Sequence, residues 1–138
     1  MLYKKITLSL EGQADETKLI VETMKIISAL KSTLTVIHVN DPDAGKASMM
    51  MDTLPRITRQ DLIEMFHRSG FDNQIDDILF KTVDDQSYTD AIAELTENAD
   101  LLIMGHHQRN KFMSVLLTST DEFVSDQVKC PILLLPLS

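Results

Sequence analysis

The sequence is short of cysteine, of positive charge and of long apolar runs. Cys130 is the only cysteine, so an internal disulfide is impossible, and a reducing compartment such as the cytoplasm is expected. Lysine and arginine number 13 against 21 aspartates and glutamates, which gives a net charge of -8. This balance argues against a nucleic-acid backbone or an anionic membrane as the main partner, because both bind clustered cations. No apolar run approaches the length of a membrane span, and residues 1–5 lack the apolar stretch of a signal peptide.

What the chain does contain is typical of a single globular domain. It has 138 residues, of which 43% are hydrophobic and 25% are charged. A chain of this length can bury enough surface to fold without disulfides or a metal. The sequence therefore predicts one domain over residues 1–138.

Strand-like and helix-like runs alternate along the chain. Period-two or continuous apolar runs predict strands, and apolar residues at helical spacing predict amphipathic helices. The predicted strands cover residues 3–10, 34–39, 75–82, 101–104 and 130–136, and the predicted helices cover 14–31, 56–68, 87–98 and 119–128. Because strands separated by helices cannot form tight hairpins, we expect a mostly parallel sheet with right-handed crossovers.

Three segments carry a further signal about their place in the fold. Residues 101–104 are apolar without a break, as expected of a strand that is buried on both faces. Residues 75–82 contain charged side chains, among them Asp76, Asp77 and Lys81, and charge on a strand indicates a sheet edge. Residues 41–55 show no clear period and are predicted to form a long loop.

The topology indicates where a ligand would bind. Doubly wound sheets bind ligands beyond the carboxyl ends of their strands, where the strand order reverses. The loops after the first and fourth strands, residues 11–13 and 105–118, are therefore the predicted site. The second loop leads into a capping box formed by Ser119 and Glu122, and a helix N-terminus of this kind suits a phosphate.

The end of the chain resembles the universal stress protein family. The family hallmark is a buried strand, a Gly-x-x-Gly-x9-Gly-Ser motif, a helix and a last strand bounded by proline. The motif positions here are Gly105, Gln108, Thr118 and Ser119, and residues 130–136 match the last strand. Further matches lie at residues 3–6, 11, 36–39 and 90–92, so the resemblance covers essentially the whole chain.

The resemblance implies a fold, an assembly and a site. The fold would be a single doubly wound α/β domain with a five-stranded parallel sheet in the order 3-2-1-4-5, of the adenine-nucleotide α-hydrolase-like kind. In the family the last strand, here Ile132–Leu135, pairs across a homodimer, and the function is a non-catalytic role in the stress response. The residual nucleotide or anion site would contain Glu11, Val39, Gly105, His107, Gln108, Arg109, Thr118, Ser119 and Thr120.

Departures from the family motif point to a particular subclass. Gln108 and Thr118 stand where nucleotide-binding members have glycines, and a side chain there crowds the path of the phosphates. In nucleotide-binding members of the family an aspartate after the first strand holds the nucleoside, and Glu11 stands at that position here. The run Gly105-His106-His107-Gln108 resembles the A-type members, which do not bind ATP. We therefore expect no cofactor, the alternative being a divergent site that still binds ATP or AMP.

Other functions are less well supported by the residues. A phosphoacceptor receiver domain shares the topology but needs an acidic pair after the first strand, where Glu11 is followed by Gly12 and Gln13. No nucleophile–base pair of a small hydrolase is recognisable. His106 and His107 are adjacent and lack a third ligand at suitable spacing, so no metal site is expected.

Two further features are predicted to have a structural role. His38 is predicted to be a packed histidine of the second strand. Residues 49–51, three consecutive methionines, are interpreted as a loop packed over a helix, and an adaptable contact surface is the alternative.

Overall fold

The structure is a computed structural model that describes residues 3–12, 15–45, 55–106 and 127–137. The elements are β1 Lys5–Ser9, α1 Thr17–Leu30, β2 Thr33–Asn40, α2 Arg59–Arg68, a 3-10 helix Asp72–Asp77, β3 Ile78–Asp84, α3 Tyr88–Leu95, β4 Leu101–His106 and β5 Ile132–Pro136. Within these residues, no helix combines the length and the apolar character that a bilayer crossing requires.

The five strands form one parallel sheet in the order β3-β2-β1-β4-β5, which confirms the predicted fold. Leu8 in the central strand β1 pairs with Val36 of β2 on one side and Ile103 of β4 on the other. The strand order reverses between β1 and β4, so the loops that follow these two strands begin side by side.

Helices cover the two faces of the sheet, and each face carries its own apolar cluster. Alternate residues of β1, among them Ile6 and Leu8, pack with α1 and α2 on one face. The other face packs against α3 through side chains such as Ile37 and Leu102. The four residues Leu101–Met104 of β4 are buried, as predicted for a strand covered on both faces.

The prediction for residues 75–82 needs a correction at its start. Ile75 to Asp77 belong to the 3-10 helix, and β3 begins only at Ile78 and runs on to Asp84. Ile75 reaches the core from the 3-10 helix, so it does not need a strand to bury its apolar side chain. The inferred edge position is confirmed, because β3 is the outermost strand and Leu79 on it is 50% exposed.

The predicted helix bounds shift by a few residues. The helix predicted at 14–31 begins at Thr17, and the helix predicted at 56–68 begins at Arg59. The second shift has a local cause, since Thr58 accepts a hydrogen bond from the Asp61 N–H and forms a capping box with it. The helix predicted at 119–128 lies outside the described residues except at its last two positions.

Candidate functional site

A cleft of about 80 Å³ lies at the carboxyl ends of β1, β2 and β3. Residues that end or follow these strands line it, together with residues 55 and 57, which cross above them, and Tyr88 at the start of α3. We call it the carboxyl-end cleft. Of the residues that the sequence singled out, Glu11 and Val39 line this cleft.

The loop after β1 is held by a buried carboxylate that the sequence analysis did not identify. Glu16 is only 5% exposed, and its carboxylate accepts hydrogen bonds from the backbone N–H groups of Glu11 and Gly12, each at 2.8 Å. Burial raises the pKa of Glu16, although these two hydrogen bonds favour the charged form and work in the opposite direction. Glu16 therefore fixes the position of Glu11 at the cleft.

Glycine is required at position 12 by both conformation and space. Gly12 has a φ of +79°, and a Cβ added there would lie 2.8 Å from Cγ1 of Ile57. The loop after β1 and the segment above it thus approach each other more closely than any larger residue would permit.

Glu11 is the end of a short hydrogen-bond chain. The Tyr88 hydroxyl donates to Oε2 of Glu11 at 3.2 Å, and Tyr88 is also hydrogen bonded to the side chain of Ser9. Burial and the neighbouring Glu11 carboxylate both raise the pKa of Tyr88, so its hydroxyl stays protonated and remains a donor. The chain joins α3 to the carboxyl end of β1.

Asn40 at the end of β2 fixes the segment that crosses the cleft. Its side-chain amide donates to the Ile57 carbonyl at 2.8 Å, and its Oδ1 accepts from the Ile57 N–H at 3.0 Å. Asn40 is 2% exposed and Ile57 is 8% exposed, so both hydrogen bonds are shielded from water. We call this pair the Asn40 clamp.

A second, charged contact holds the same segment. Nη2 of Arg56 lies 2.8 Å from each carboxylate oxygen of Asp84, the last residue of β3. Both side chains are more than two-fifths exposed. We call this pair the Arg56 clamp. The two clamps tie residues 56 and 57 to the ends of two neighbouring strands.

His38 contacts the cleft from β2. It is buried, as predicted for a strand histidine, and its Nδ1 lies 2.6 Å from the Leu10 carbonyl oxygen. A carbonyl can only accept, so Nδ1 carries the proton and donates. The other ring nitrogen, Nε2, is therefore an acceptor in the neutral ring.

Gly105 lies within β4 and pairs with Leu135 of β5, whereas the sequence analysis placed it at the start of the following loop. A Cβ at this position would lie 2.6 Å from Cδ1 of Leu137 and 3.2 Å from Cδ2 of Leu19. A larger residue here would therefore require the Leu137 side chain to shift, whether or not a ligand binds.

The remaining predicted site residues cannot be placed. His107, Gln108, Arg109, Thr118, Ser119 and Thr120 lie outside the described residues. Among the residues that the structure does describe, no three histidine, cysteine, aspartate or glutamate side chains are arranged to hold a metal ion. Burial raises the pKa of the Cys130 thiol, which disfavours the reactive thiolate.

Sequence reasoning missed Glu16, Asn40, Ile57 and Tyr88 as contributors to the cleft. Asn40 carried the clearest available signal, because it is a polar residue directly at the carboxyl end of a strand. The contacts of the other three depend on partners that only the folded chain brings together.

Comparisons with known proteins identify the family and the fold. Residues 2–136 match the model of the universal stress protein family. Among solved structures, a universal stress protein in complex with cAMP shares 18% identity over 100% of both chains, with a TM-score of 0.63. The universal stress protein UspA from Lactobacillus plantarum shares 15% identity over 98% of this chain and 99% of that chain, with a TM-score of 0.56.

A third structure, the universal stress protein from Archaeoglobus fulgidus in complex with dAMP, shares 13% identity over 97% of this chain and 98% of that chain, with a TM-score of 0.52. At these identities the likeness shows the fold. Curated protein sequences contain no significant match. Because the family model matches nearly every residue, this chain belongs to the universal stress protein family.

Proposed function

We propose that this chain is a homodimeric, non-catalytic regulatory protein of the A-like kind, in which the nucleotide site is degenerate. The size of the carboxyl-end cleft carries the proposal. Its volume of about 80 Å³ lies well below the about 300–1,000 Å³ that pockets for larger organic ligands usually measure. A nucleobase with its ribose is too large for this space.

The residues above the cleft account for its size. Ile57 is buried against the loop after β1 and is fixed by the two hydrogen bonds of the Asn40 clamp. Enlarging the cleft would break buried hydrogen bonds, which costs more than breaking exposed ones. The closed form is therefore the stable form of this site.

The charge of the cleft also disfavours a polyanion. Glu11, Asp41 and Asp85 line it, and its described lining includes no lysine or arginine. The nearby Arg56 is engaged with Asp84. A triphosphate would meet carboxylates here without a compensating cation.

A nucleotide-binding protein with a divergent phosphate loop is the second candidate. It is favoured by the position of Glu11 and Val39, which both line the cleft as the family resemblance implies. Two similar structures hold cAMP and dAMP. On this view Ile57 moves away when the nucleotide enters.

Thermal unfolding with millimolar MgATP, AMP or cAMP separates the two candidates. A ligand at a hundred times its dissociation constant stabilises a protein by about 2.7 kcal/mol, which raises the melting temperature visibly. We expect no shift. A saturable rise that Arg109→Gln abolishes would establish the second candidate and end the first.

The homodimer is proposed from the exposed edge of β5. The side chains of Ile132–Leu135 are all half-buried and apolar, and within the described residues only β4 pairs with this strand. An apolar edge of this kind favours pairing with a second copy. Leu134→Lys is expected to give a monomer by light scattering, whereas Leu79→Lys on the opposite edge leaves the dimer intact. A wild-type monomer at micromolar concentration would refute the assembly.

A further inference from the structure

We infer that a groove at the amino ends of the strands binds a small zwitterion, a molecule of dipeptide size that carries both a carboxylate and an ammonium group. The groove has a volume of about 530 Å³ and is lined by residues of β1, β2, β3, α3 and the turn after α3. We call it the amino-end groove. It shares no lining residue with the carboxyl-end cleft, so the inference does not depend on the proposed function.

The groove exists because α3 is too short to cover its face of the sheet. Eight helical residues, Tyr88–Leu95, span about 12 Å, whereas the eight residues of β2 span about 26 Å. The start of β2 and the neighbouring part of β3 therefore stay open on this face. Thr33 is exposed there, and Leu79, which pairs with Thr35, is 50% exposed.

The size of the groove is that of a site for an organic ligand. Its volume of about 530 Å³ lies within the range of about 300–1,000 Å³ that such sites usually have. The carboxyl-end cleft, with about 80 Å³, lies well below this range. The amino-end groove is therefore the better candidate for a ligand of several non-hydrogen atoms.

The hydroxyl of Thr7 in the central strand points to a ligand. Thr7 is only 4% exposed, yet it lines the groove, and its hydroxyl has no hydrogen-bond partner among the described residues. The hydroxyl of Thr23 also lacks a partner but is fully enclosed, whereas that of Thr7 is open to the groove. Thr35 pairs with Thr7 in register, and its hydroxyl is unpartnered within the same part of the chain. Two adjacent hydroxyls on the floor of the groove can thus donate to a carboxylate.

The charged side chains around the groove have opposite signs on its two sides. Lys5 and Lys81 belong to the sheet, whereas Glu94 and Glu97 belong to α3 and the turn that follows it. None of the four forms an ion pair with another residue that the structure describes. The acids therefore do not neutralise the lysines across the groove. A ligand with one charge of each sign is complementary to both sides.

A zwitterion fits this lining better than a simple ion does. A lone anion would meet the two glutamates and the net charge of -8, and a lone cation would meet the two lysines. Leu95 also lines the groove and offers apolar surface to a side chain of the ligand. A dipeptide with free termini and one apolar side chain meets these conditions, and glycyl-leucine is the probe.

The test is an NMR titration of the full chain with glycyl-leucine at constant pH and ionic strength. We expect saturable shifts of the methyl signals of Thr7 and Thr35. Two analogues of nearly the same shape are the control ligands: glycyl-leucinamide lacks the carboxylate, and glycolyl-leucine has a hydroxyl in place of the ammonium. Each is expected to bind at least tenfold more weakly. No saturable change at Thr7, or an analogue that binds as tightly as the dipeptide, would overturn the inference.

Two lysine variants test whether the charge acts within the groove. Lys81→Gln should weaken glycyl-leucine binding at least fivefold. Lys18→Gln removes the same charge from an exposed site on α1 outside the groove and should leave binding unchanged. If both variants weaken binding alike, the dipeptide responds only to the overall charge and the inference fails.

Two threonine variants test the buried hydroxyl. Thr7→Val replaces the hydroxyl by a methyl group of similar size and should weaken binding at least threefold, whereas Thr23→Val removes the enclosed hydroxyl and should leave binding unchanged. Neither hydroxyl has a partner to lose, so urea unfolding should show no loss of stability in either variant. Binding by Thr7→Val at the wild-type affinity would refute the site as assigned. The comparison of the three ligands on the wild-type chain decides the matter even if a variant does not fold.

Discussion

The Asn40 clamp and the Arg56 clamp hold neighbouring residues of one segment by opposite means. The first is neutral, buried and made of two hydrogen bonds to the backbone of Ile57. The second is an ion pair in which both side chains are more than two-fifths exposed. Water competes for the exposed ion pair, whereas the buried hydrogen bonds of Asn40 are shielded from water. We therefore expect the uncharged clamp to be the stronger one.

The difference suggests how the cleft stays closed. The buried side-chain amide of Asn40 satisfies both the N–H and the carbonyl of Ile57. If the amide is lost, these two groups have no alternative partner. An exposed ion pair exchanges easily for hydrated ions. Asn40 therefore mainly determines the position of Ile57 above the cleft, and the ion pair of Arg56 contributes less.

The largest expected effect comes from removing the buried clamp. Asn40→Ala leaves the N–H and the carbonyl of Ile57 without partners in a site that excludes water. We expect the free energy of unfolding to fall by about 3 kcal/mol, since each unsatisfied buried group costs about 1–3 kcal/mol. Urea unfolding measures this loss.

Asn98→Ala is the matched control, because Asn98 is an exposed asparagine near the end of α3. Its midpoint should stay within error of the wild type. A loss below about 0.5 kcal/mol for Asn40→Ala would show that water or a rearranged backbone replaces the amide, and the two clamps would then not differ in kind.

Glu16 supplies the intermediate case, a clamp that is both charged and buried. Its carboxylate holds two backbone N–H groups, yet burial raises its pKa above the ordinary value of 4.5, and the charges of Glu11 and Asp15 act in the same direction. The folded state therefore holds this proton to a higher pH than the unfolded state does. Where the folded state binds more protons, the free energy of unfolding decreases as the pH rises.

We therefore expect the contribution of Glu16 to stability to be greatest at and below pH 4.5 and to decline as the pH rises through its elevated folded-state pKa. Urea unfolding of the wild type and of Glu16→Gln at a series of pH values from 4.5 to 7 tests this. The wild type should lose stability relative to the variant as the pH rises. A difference that stays constant, or that changes in the opposite sense, would show that the two hydrogen bonds outweigh the burial.

The sequence predicted the architecture better than it predicted the clamps. The apolar periods of β1 and β4 arise within each strand, so they could be recognised without knowledge of the fold. The strand order came from the family resemblance. The resemblance also implied Glu11 and Val39 as site residues. Both line the cleft, and their role in binding a ligand stays a prediction.

The clamps could not be predicted because their partners are distant in the chain. Asn40 meets Ile57 across 17 positions, and Tyr88 meets Glu11 across 77. A side chain selects such a partner through the packing of several elements, which leaves no local pattern in the sequence. The 3-10 helix was missed for a related reason, since Ile75 has the apolar character of a strand residue but reaches the core from a helical turn.

The smallest expected effect belongs to the Arg56 clamp, and a double-mutant cycle measures it. Arg56→Gln and Asp84→Asn each remove one charge, and the double variant removes both. Because the pair is exposed on both sides, we expect a coupling of about 0.5 kcal/mol, within the range of about 0.2–1 kcal/mol for surface ion pairs. Raising the salt concentration to about 1 M should reduce the coupling further, since the screening length falls to about 3 Å. A coupling above about 2 kcal/mol that resists salt would mean that this contact is shielded from water, and the contrast with the Asn40 clamp would be lost.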